Sequence, residues 1–327
     1  MEQKRVTTLD NKRKFNWANL TIVGLTLLLG IGLSLSSDIF LNYQNIHDLL
    51  FDTSFMFFGI IGFTYLMIMG EIDLTIGSMY AFSGMFLGIL CSWGLPLVVG
   101  LPITLISSIA FGLVNGLLVV RFRVPSMMIT LGMMTALRGL ATVICSNLYG
   151  YYYPDDYNAL SKFSIKFGNG QEMFMLIIVM VLLIVILEFM LHRTTVFRKM
   201  YYVGENLDTA RIYGIKSGKI KIITFAVSAF TAAIGGILVG SRIHYAEPVI
   251  GNGYEFQMLT AAVLGGASLF GGKGSILRGA VALLLLQMIS KGMIIHNIEP
   301  LLQQIVVGII LLVAVFLDTR TNKMTNS

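Results

Sequence analysis

Residues 172–191 read Glu172-Met-Phe-Met-Leu-Ile-Ile-Val-Met-Val-Leu-Leu-Ile-Val-Ile-Leu-Glu188-Phe-Met-Leu191, and everything between the two glutamates is apolar. A helix needs about 20 such residues to cross a hydrocarbon layer roughly 30 Å thick. Working outward, comparable runs fall near 17–37, 49–70, 75–93, 96–120, 126–146, 220–240, 256–271, 276–296 and 300–317. The sequence therefore predicts an all-α, polytopic integral membrane protein of about ten transmembrane helices. One membrane domain occupies 17–318, between polar tails at 1–16 and 319–327. Gly and Ser interrupt the stretches 75–93, 256–271 and 276–296, so broken or re-entrant helices are expected there.

Composition agrees. Of 327 residues, 56% are hydrophobic and 12% charged, and the mean hydropathy is +0.80. Soluble domains carry about twice that share of charge, because a surface in water needs it. A soluble enzyme is excluded. The net charge of +6 could suggest a nucleic-acid partner, but the basic residues sit in short loops between apolar runs, which is a sign of membrane topology. Cys91 and Cys145 lie far apart in apolar stretches and read as inert thiols. The polar N-terminus leads directly into a long apolar run from Trp17, which reads as an uncleaved first span.

Loop charges set the orientation. With the N-terminus inside, the cytoplasmic segments hold Lys4, Arg5, Lys12, Arg13, Lys14, Arg121, Arg123, Arg193, Arg198, Lys199, Arg211, Lys216, Lys219, Lys221, Lys273, Arg278, Arg320 and Lys323. Only Lys162, Lys166, Arg242 and Lys291 fall outside, and Arg138 falls within a span. The asymmetry places both termini in the cytoplasm.

Two polar stretches interrupt the apolar pattern. The outer one, 147–171, is rich in Tyr and Asp (Tyr149 to Tyr153, Asp155, Asp156). The cytoplasmic one, 192–219, contains Val203-Gly204-Glu205-Asn206-Leu207-Asp208-Thr209-Ala210-Arg211-Ile212-Tyr213-Gly214-Ile215. Asn206 suits an N-cap, Asp208 a first turn and Gly214 a helix end, with Arg211 three residues after Asp208. Leu207, Ala210 and Ile215 give this short helix an apolar side. On spacing alone it is either a helix lying on the membrane or a docking helix for a cytoplasmic partner.

No Walker A loop is present, since Gly272-Lys273 precedes Gly274 and Gly218-Lys219 precedes Ile220. No HExxH, GxSxG or metal-ligand spacing occurs either, so no cofactor or metal is expected on this chain. Ionisable groups within apolar runs are costly and point to function. Asp73, Arg138 and Glu255 are the main cases, with Glu71 beside them. Asp73 can instead cap the span that follows, near Thr75 and Ser78, and Arg138 can bond exposed carbonyls of a broken helix. Asn115, between Gly112 and Gly116, reads as an interhelical hydrogen-bonding residue. Asp73, Thr75, Ser78, Asn115, Arg138, Glu255 and Gln257 are the candidate pathway or gating residues.

Three blocks carry a resemblance. They are Gly70-Glu71-Ile72-Asp73-Leu74-Thr75-Ile76-Gly77-Ser78; Tyr202-Val203-Gly204-Glu205-Asn206 with Ala210-Arg211 and Gly214-Ile215; and Gly253-Tyr254-Glu255 followed by 262–268 and Gly271-Gly272-Lys273-Gly274-Ser275. Together, and in this order, they resemble permease subunits of bacterial ABC importers for ribose, xylose, related simple sugars and autoinducer-2. The resemblance implies a dimeric permease in the plasma membrane. Its partners are cytoplasmic ABC ATPases, an extracytoplasmic solute-binding protein, a second permease subunit and membrane lipid, with ATP used by the ATPases. It assigns ATPase coupling to Gly204, Glu205, Asn206, Leu207, Ala210, Arg211 and Gly214. Glu71 departs from the glycine usual at that place. Related machines carry branched-chain amino acids or nucleosides. A proton-driven transporter with Asp73 and Glu255 as relays is the alternative of a different class.

Overall fold

The computed structural model describes residues 17–145, 151–154, 157, 159–166 and 172–326. The basic tail with Lys4, Arg5, Lys12, Arg13 and Lys14 lies outside the described residues, as do Tyr149, Asp155 and Asp156.

The elements run α1 (Trp17–Ser36), α2 (Tyr43–Ile68), α3 (Ile76–Ser92), α4 (Leu97–Phe122), α5 (Ser126–Ile144), β1 (Tyr151–Tyr152), α6 (Ala159–Lys162), β2 (Ser164–Lys166) and β3 (Glu172–Phe174). They continue α7 (Met175–Arg193), α8 (Thr195–Glu205), α9 (Leu207–Ile212), α10 (Ser217–Ile243), β4 (Tyr245–Ala246), α11 (Tyr254–Leu264), α12 (Ile276–Ile295) and α13 (Pro300–Asn326). Among the described residues, seven helices are long and apolar enough to cross a membrane: α2, α4, α5, α7, α10, α12 and the Leu302–Arg320 part of α13. Thr21–Ser36 and α3 are shorter apolar helices. The chain is an all-α membrane protein with several spans.

One expected span takes another form. The stretch 256–271 is helical only to Leu264, and α11 has 11 residues. At 1.5 Å per residue that is about 16 Å, little more than half of the hydrocarbon layer. Gly265 ends the helix, and the chain to Ser275 is irregular.

α2 is buried along nearly its whole length because it is apolar on every side, and it packs against α10, α11 and α12. Phe57, Ile60, Phe63, Leu66, Met258 and Leu283 fill this centre. α7 and α13 instead expose Val185, Phe189, Leu312 and Phe316 outward, where hydrocarbon would meet them. Among the described residues, most basic ones collect at one end of the bundle, which holds the C-terminal ends of α2, α4 and α7 and the N-terminal ends of α10 and α12.

At the opposite end the tyrosine-rich segment is anchored in the helices. β1 pairs antiparallel with β4, Tyr151 facing Ala246, and β2 pairs with β3, Ile165 facing Met173. Tyr153 and Tyr157 are buried and stacked with ring centroids 3.8 Å apart. Tyr153 donates to the Gly84 carbonyl at 2.6 Å, and Tyr157 to that of Ile237 at 2.7 Å. Near them, Ser164 and Lys166 bond Glu172 and hold its carboxyl below its ordinary range.

Two stretches of irregular chain enter the bundle from opposite ends. Residues 69–75 leave α2 at the basic end and lead inward to the start of α3. Residues 247–253 leave β4 at the other end and lead inward to α11. They meet backbone to backbone: a Cβ on Gly251 would lie 2.5 Å from the Gly77 carbonyl oxygen, and Gly251 has φ +74°. Tyr80 braces the joint by accepting from the Gly59 amide at 3.1 Å and donating to the Phe55 carbonyl at 2.9 Å.

α3 reaches this joint only because α10 is smooth beside it. A Cβ on Gly236 would lie 2.6 Å from the Tyr80 Cα. Gly236→Val is therefore expected to lower stability by about 1–3 kcal/mol through overpacking. Thermal unfolding of the purified protein in detergent reads this directly, and an unchanged melting temperature would contradict the packing described.

Candidate functional site

The three sequence blocks, separated by up to two hundred residues, converge at the basic end. The Gly272 amide donates to the carbonyl of Ile68, the last residue of α2, at 2.8 Å. Gly204 is wedged into the same joint: a Cβ there would fall 2.6 Å from the Gly272 nitrogen. A Cβ on Gly271 would fall 2.7 Å from the Gly204 carbonyl oxygen. Tyr201 adds a hydrogen bond to the Gly274 carbonyl at 2.8 Å. The C-terminal ends of α2 and α8 and the chain 265–275 thus form one tight knot.

α9 projects from that knot with both ends capped. The Asn206 side chain accepts from the Asp208 and Thr209 amides at 3.0 and 2.9 Å. At the other end the Ile215 amide reaches back to the Ala210 carbonyl at 3.0 Å, and that of Gly214 to Arg211 at 2.9 Å. Gly214 has φ +72°, so this is a Schellman ending, in which glycine is the residue without strain. Asp208 and Arg211 pair at 3.4 Å on the exposed side. Glu205 is exposed at the end of α8.

The apolar side expected from Leu207, Ala210 and Ile215 points into the chain. Ala210 is buried and Leu207 and Ile215 pack against the core. The side chains that α9 offers outward are Ile212, 84% exposed, and Tyr213, 80% exposed. Spacing alone missed them because they sit at the helix end, past the last turn of the apolar stripe. Between α8 and α9 lies a hollow of about 890 Å³, lined by Arg198, Lys199, Tyr202, Thr209 and Tyr213 among others.

The buried polar candidates separate into two groups. In the first, Asp73 Oδ1 accepts from the Thr75 amide at 2.9 Å and its hydroxyl at 2.5 Å, and Oδ2 accepts from Ser228 at 2.8 Å. Asp73 thus closes a turn two residues ahead of itself, while Thr75 is the N-cap residue of α3. Asn115 is fully buried and donates to Thr75 Oγ1 at 3.5 Å. The same break is held from α5, where Ser126 accepts from the Ile72 amide at 3.0 Å; the Thr130 hydroxyl lies 3.3 Å from the Ile72 carbonyl but closer, at 2.9 Å, to the Ser126 carbonyl of its own helix.

In the second group, Ser78, Arg138 and Glu255 share a hollow of about 560 Å³ with Thr135, Thr142 and Asn252. Arg138 donates to the carbonyls of Pro248 and Ile250 at 2.5 and 2.8 Å. Those are exposed carbonyls of a broken segment. Ser78 donates to the Met134 carbonyl at 2.8 Å. Glu255 is 5% exposed, and its Oε2 has no hydrogen-bond partner among the described residues. The hollow opens on the flank of the bundle, where α5 exposes Met128, Leu131, Thr135 and Gly139. Gln257, half-buried on α11, joins neither group. The sequence reading missed Ser228 and Asn252, whose side chains carry no charge and stand out only once the fold brings them in.

Glu71 finds a partner in Lys221, with which it forms an ion pair. Both side chains are largely buried, at 10% and 17% exposure. The pair ties the irregular chain 69–75 to the second turn of α10. Among the described residues no group of three or more His, Cys, Asp or Glu is placed to hold a metal ion.

With this geometry in view, comparison with known proteins is informative. The family model described as branched-chain amino acid transport system / permease component matches residues 45–315. The ribose import permease protein RbsC of Escherichia coli (strain K12) is 31% identical over 319 residues, covering 96% of this chain and 98% of its own. The xylose transport system permease protein XylH of Haemophilus influenzae is 30% identical, covering 87% of this chain and 91% of its own. The autoinducer 2 import system permease protein LsrC of Photorhabdus luminescens is 29% identical, covering 80% and 77%. No solved structure matches the chain.

Removing one partner of a buried ion pair strands the other. Lys221→Met alone is expected to destabilise the protein by about 3–5 kcal/mol, and Glu71→Leu with Lys221→Met to recover most of that loss. Melting curves of the two variants and the parent form the test; a double variant no more stable than Lys221→Met would show the pair to be uncoupled.

Proposed function

The chain belongs to the family of branched-chain amino acid transport system permease components, and from that membership we propose that it is the membrane-spanning subunit of an ATP-driven importer for a monosaccharide or similar small polar solute. The single observation that carries the substrate class is the full-length similarity to ribose, xylose and autoinducer 2 permeases. Hydrolysis belongs to a separate ATPase pair, since this sequence holds no Walker A loop. On this reading the chain is a transporter subunit and not itself an enzyme, and it requires no cofactor.

The proposed topology counts α1 and α3 as spans beside the seven longer helices, and takes α11 together with the irregular chain 247–253 that leads into it as a tenth crossing. The basic end faces the cytoplasm of a bacterial plasma membrane, and both termini lie there. α9 is the coupling helix, and Ile212 and Tyr213 are the side chains it inserts into a groove on the ATPase. Gly204 and Gly214 hold the helix at a fixed attitude, while Glu205, Asn206 and Arg211 shape its polar sides.

The pathway runs between two copies of the chain. Within one copy, the centre is filled by α2 and the side chains around it. The hollow holding Ser78, Arg138, Asn252 and Glu255 opens on the flank, so a second subunit against α5 would enclose it. Asp73, Thr75 and Asn115 then serve gating by fixing the break beside that hollow, and Gln257 lies near it on α11. A solute-binding protein docks at the opposite end and supplies the selectivity. When ATP draws the ATPases together, motion enters at α9, passes through the glycine knot to α2 and α11, and tilts the walls of the pathway.

Reconstitution tests the assignment. Vesicles holding the permease with its ATPase, given the cognate binding protein and sugar outside and ATP at the ATPase side, are expected to accumulate sugar after ion gradients are collapsed. Uptake that survives without ATP and stops with the gradient would point instead to a proton-driven carrier.

A second test concerns the coupling helix. Ile212→Asp with Tyr213→Asp is expected to cut ATP-driven uptake about tenfold or more, as loss of central interface contacts does, while leaving the melting temperature unchanged. Ala210→Asp, which buries a charge beneath α9, is expected to lower the melting temperature as well. Full uptake by the Ile212/Tyr213 variant would remove these two residues from the interface.

A further inference from the structure

At the basic end, away from α9, the end of α7, the exposed side of α8, the chain 265–275 and the start of α12 surround a hollow of about 410 Å³. Four of its lining residues are basic: His192, Arg198, Lys273 and Arg278. Tyr201 and Tyr202 lie between them. A second hollow of about 340 Å³ shares His192 and Arg278 and continues along Val23, Leu277 and Val281. The first is lined mainly by basic and tyrosine side chains; the second adds aliphatic side chains of α1 and α12 beside Glu188 and Ser275.

Of the residues lining the two hollows, Glu188 is the acidic one, and it is already engaged. Its Oε1 accepts from Ser275 at 2.9 Å and from the His192 ring at 3.0 Å, and its Oε2 from the Leu277 amide at 3.1 Å. That carboxylate steadies the first turn of α12, and the basic residues outnumber it in the lining. α8 itself has the form of an interfacial helix. It buries Met200 and Val203, packs Phe197 and Tyr201 inward, and turns Arg198, Lys199 and Tyr202 outward. The neighbouring surface of α1, with Leu25, Leu28, Ile31 and Leu35 exposed, is suited only to hydrocarbon.

We propose that the paired hollows bind one anionic phospholipid. Its phosphodiester sits among Arg198, Lys273 and Arg278, and one acyl chain lies over Val23, Leu277 and Val281. Basic residues at helix ends attract anionic headgroups at about 1 kcal/mol each, roughly fivefold in affinity. An acidic protein segment would satisfy the cationic hollow but has no use for the aliphatic one, which opens toward the bilayer-facing side of α1. A free phosphate ion would likewise leave it empty. The inference needs only that the chain is embedded in a membrane, whichever solute it carries. The lipid would pin α8, and with it the knot at Gly204, to the membrane plane.

The full-length chain, purified in neutral detergent and titrated with phosphatidylglycerol or phosphatidylcholine, gives the test, with retained lipid counted by native mass spectrometry. Phosphatidylglycerol is expected to be retained in preference. Arg198→Gln with Lys273→Gln is expected to weaken that preference about fivefold for each charge removed, whereas Arg198→Lys with Lys273→Arg keeps it. All four changes are at exposed positions. A neutralised variant that retains phosphatidylglycerol as the parent does overturns the proposal. So does displacement of the lipid by millimolar glycerol 3-phosphate, which would assign the site to free phosphate. Loss of ATPase co-purification with lipid retention unchanged would assign it to an acidic protein segment, and equally sinks the lipid.

Discussion

Inside hydrocarbon no water is available to a peptide group, so a chain that leaves helical geometry there must find protein partners for its amides and carbonyls. The rest of this structure depends on how two irregular stretches meet that demand. Around 69–75, Asp73 accepts from Thr75, while Ser126 of α5 takes up the Ile72 amide. Around 247–253, Arg138 of the same helix donates to the carbonyls of Pro248 and Ile250. α5 is thus the external strut for both breaks, through Ser126 and Arg138. Because each unsatisfied group would cost about 1–3 kcal/mol or more, the breaks stay where these side chains hold them.

Placing both breaks against one exposed helix has a mechanical consequence. A helix running unbroken through the bundle transmits motion end to end. α3 and α11 instead begin at mid-bundle and run outward to opposite ends, touching at Gly77 and Gly251. In the proposed importer, a tilt of α11 would reach α3 and the hollow beside it through this joint. The knot at the basic end would give that tilt a rigid input, since Gly204, Gly271 and the Ile68 carbonyl pack with no room for a side chain. Rigid contact at the ends and a joint in the middle are what a lever requires.

Much of this was legible in the sequence, for definite reasons. Long apolar runs such as 173–187 mark spans regardless of context, because bilayer thickness fixes their length. The caps of α9 were legible from Asn206 and Gly214, since capping chemistry is local. Which face of α9 looks outward was not, because six residues are too few for an apolar stripe to outweigh tertiary packing. Ala210 proved to be a seat and Ile212 and Tyr213 the tip. The partner of Glu71 was likewise hidden. Lys221 counts as one more loop charge until α10 starts at Ser217 and carries it into the bundle. The split of the polar candidates into two groups needed the fold as well, since Asp73 and Ser78 lie five residues apart but serve different neighbours.

Glu71 shows what a charged residue at such a joint requires. Here a carboxylate enters a buried place, which is tolerable only with a countercharge. Lys221 sits on the second turn of α10, and α10 also carries Ser228, the partner of Asp73. Two bonds from one helix therefore fix the same seven-residue break, an ion pair near its start and a hydrogen bond at its inner end. The ion pair secures the break at the basic end. The hydrogen bond secures it beside the hollow that holds Glu255. A glycine at 71 would keep the backbone bonds to Leu66 and Met67 but would leave only the inner tie to α10. With Glu71 in place, the break is held to α10 at both its ends, so the end of α2 and the start of α10 are joined through it.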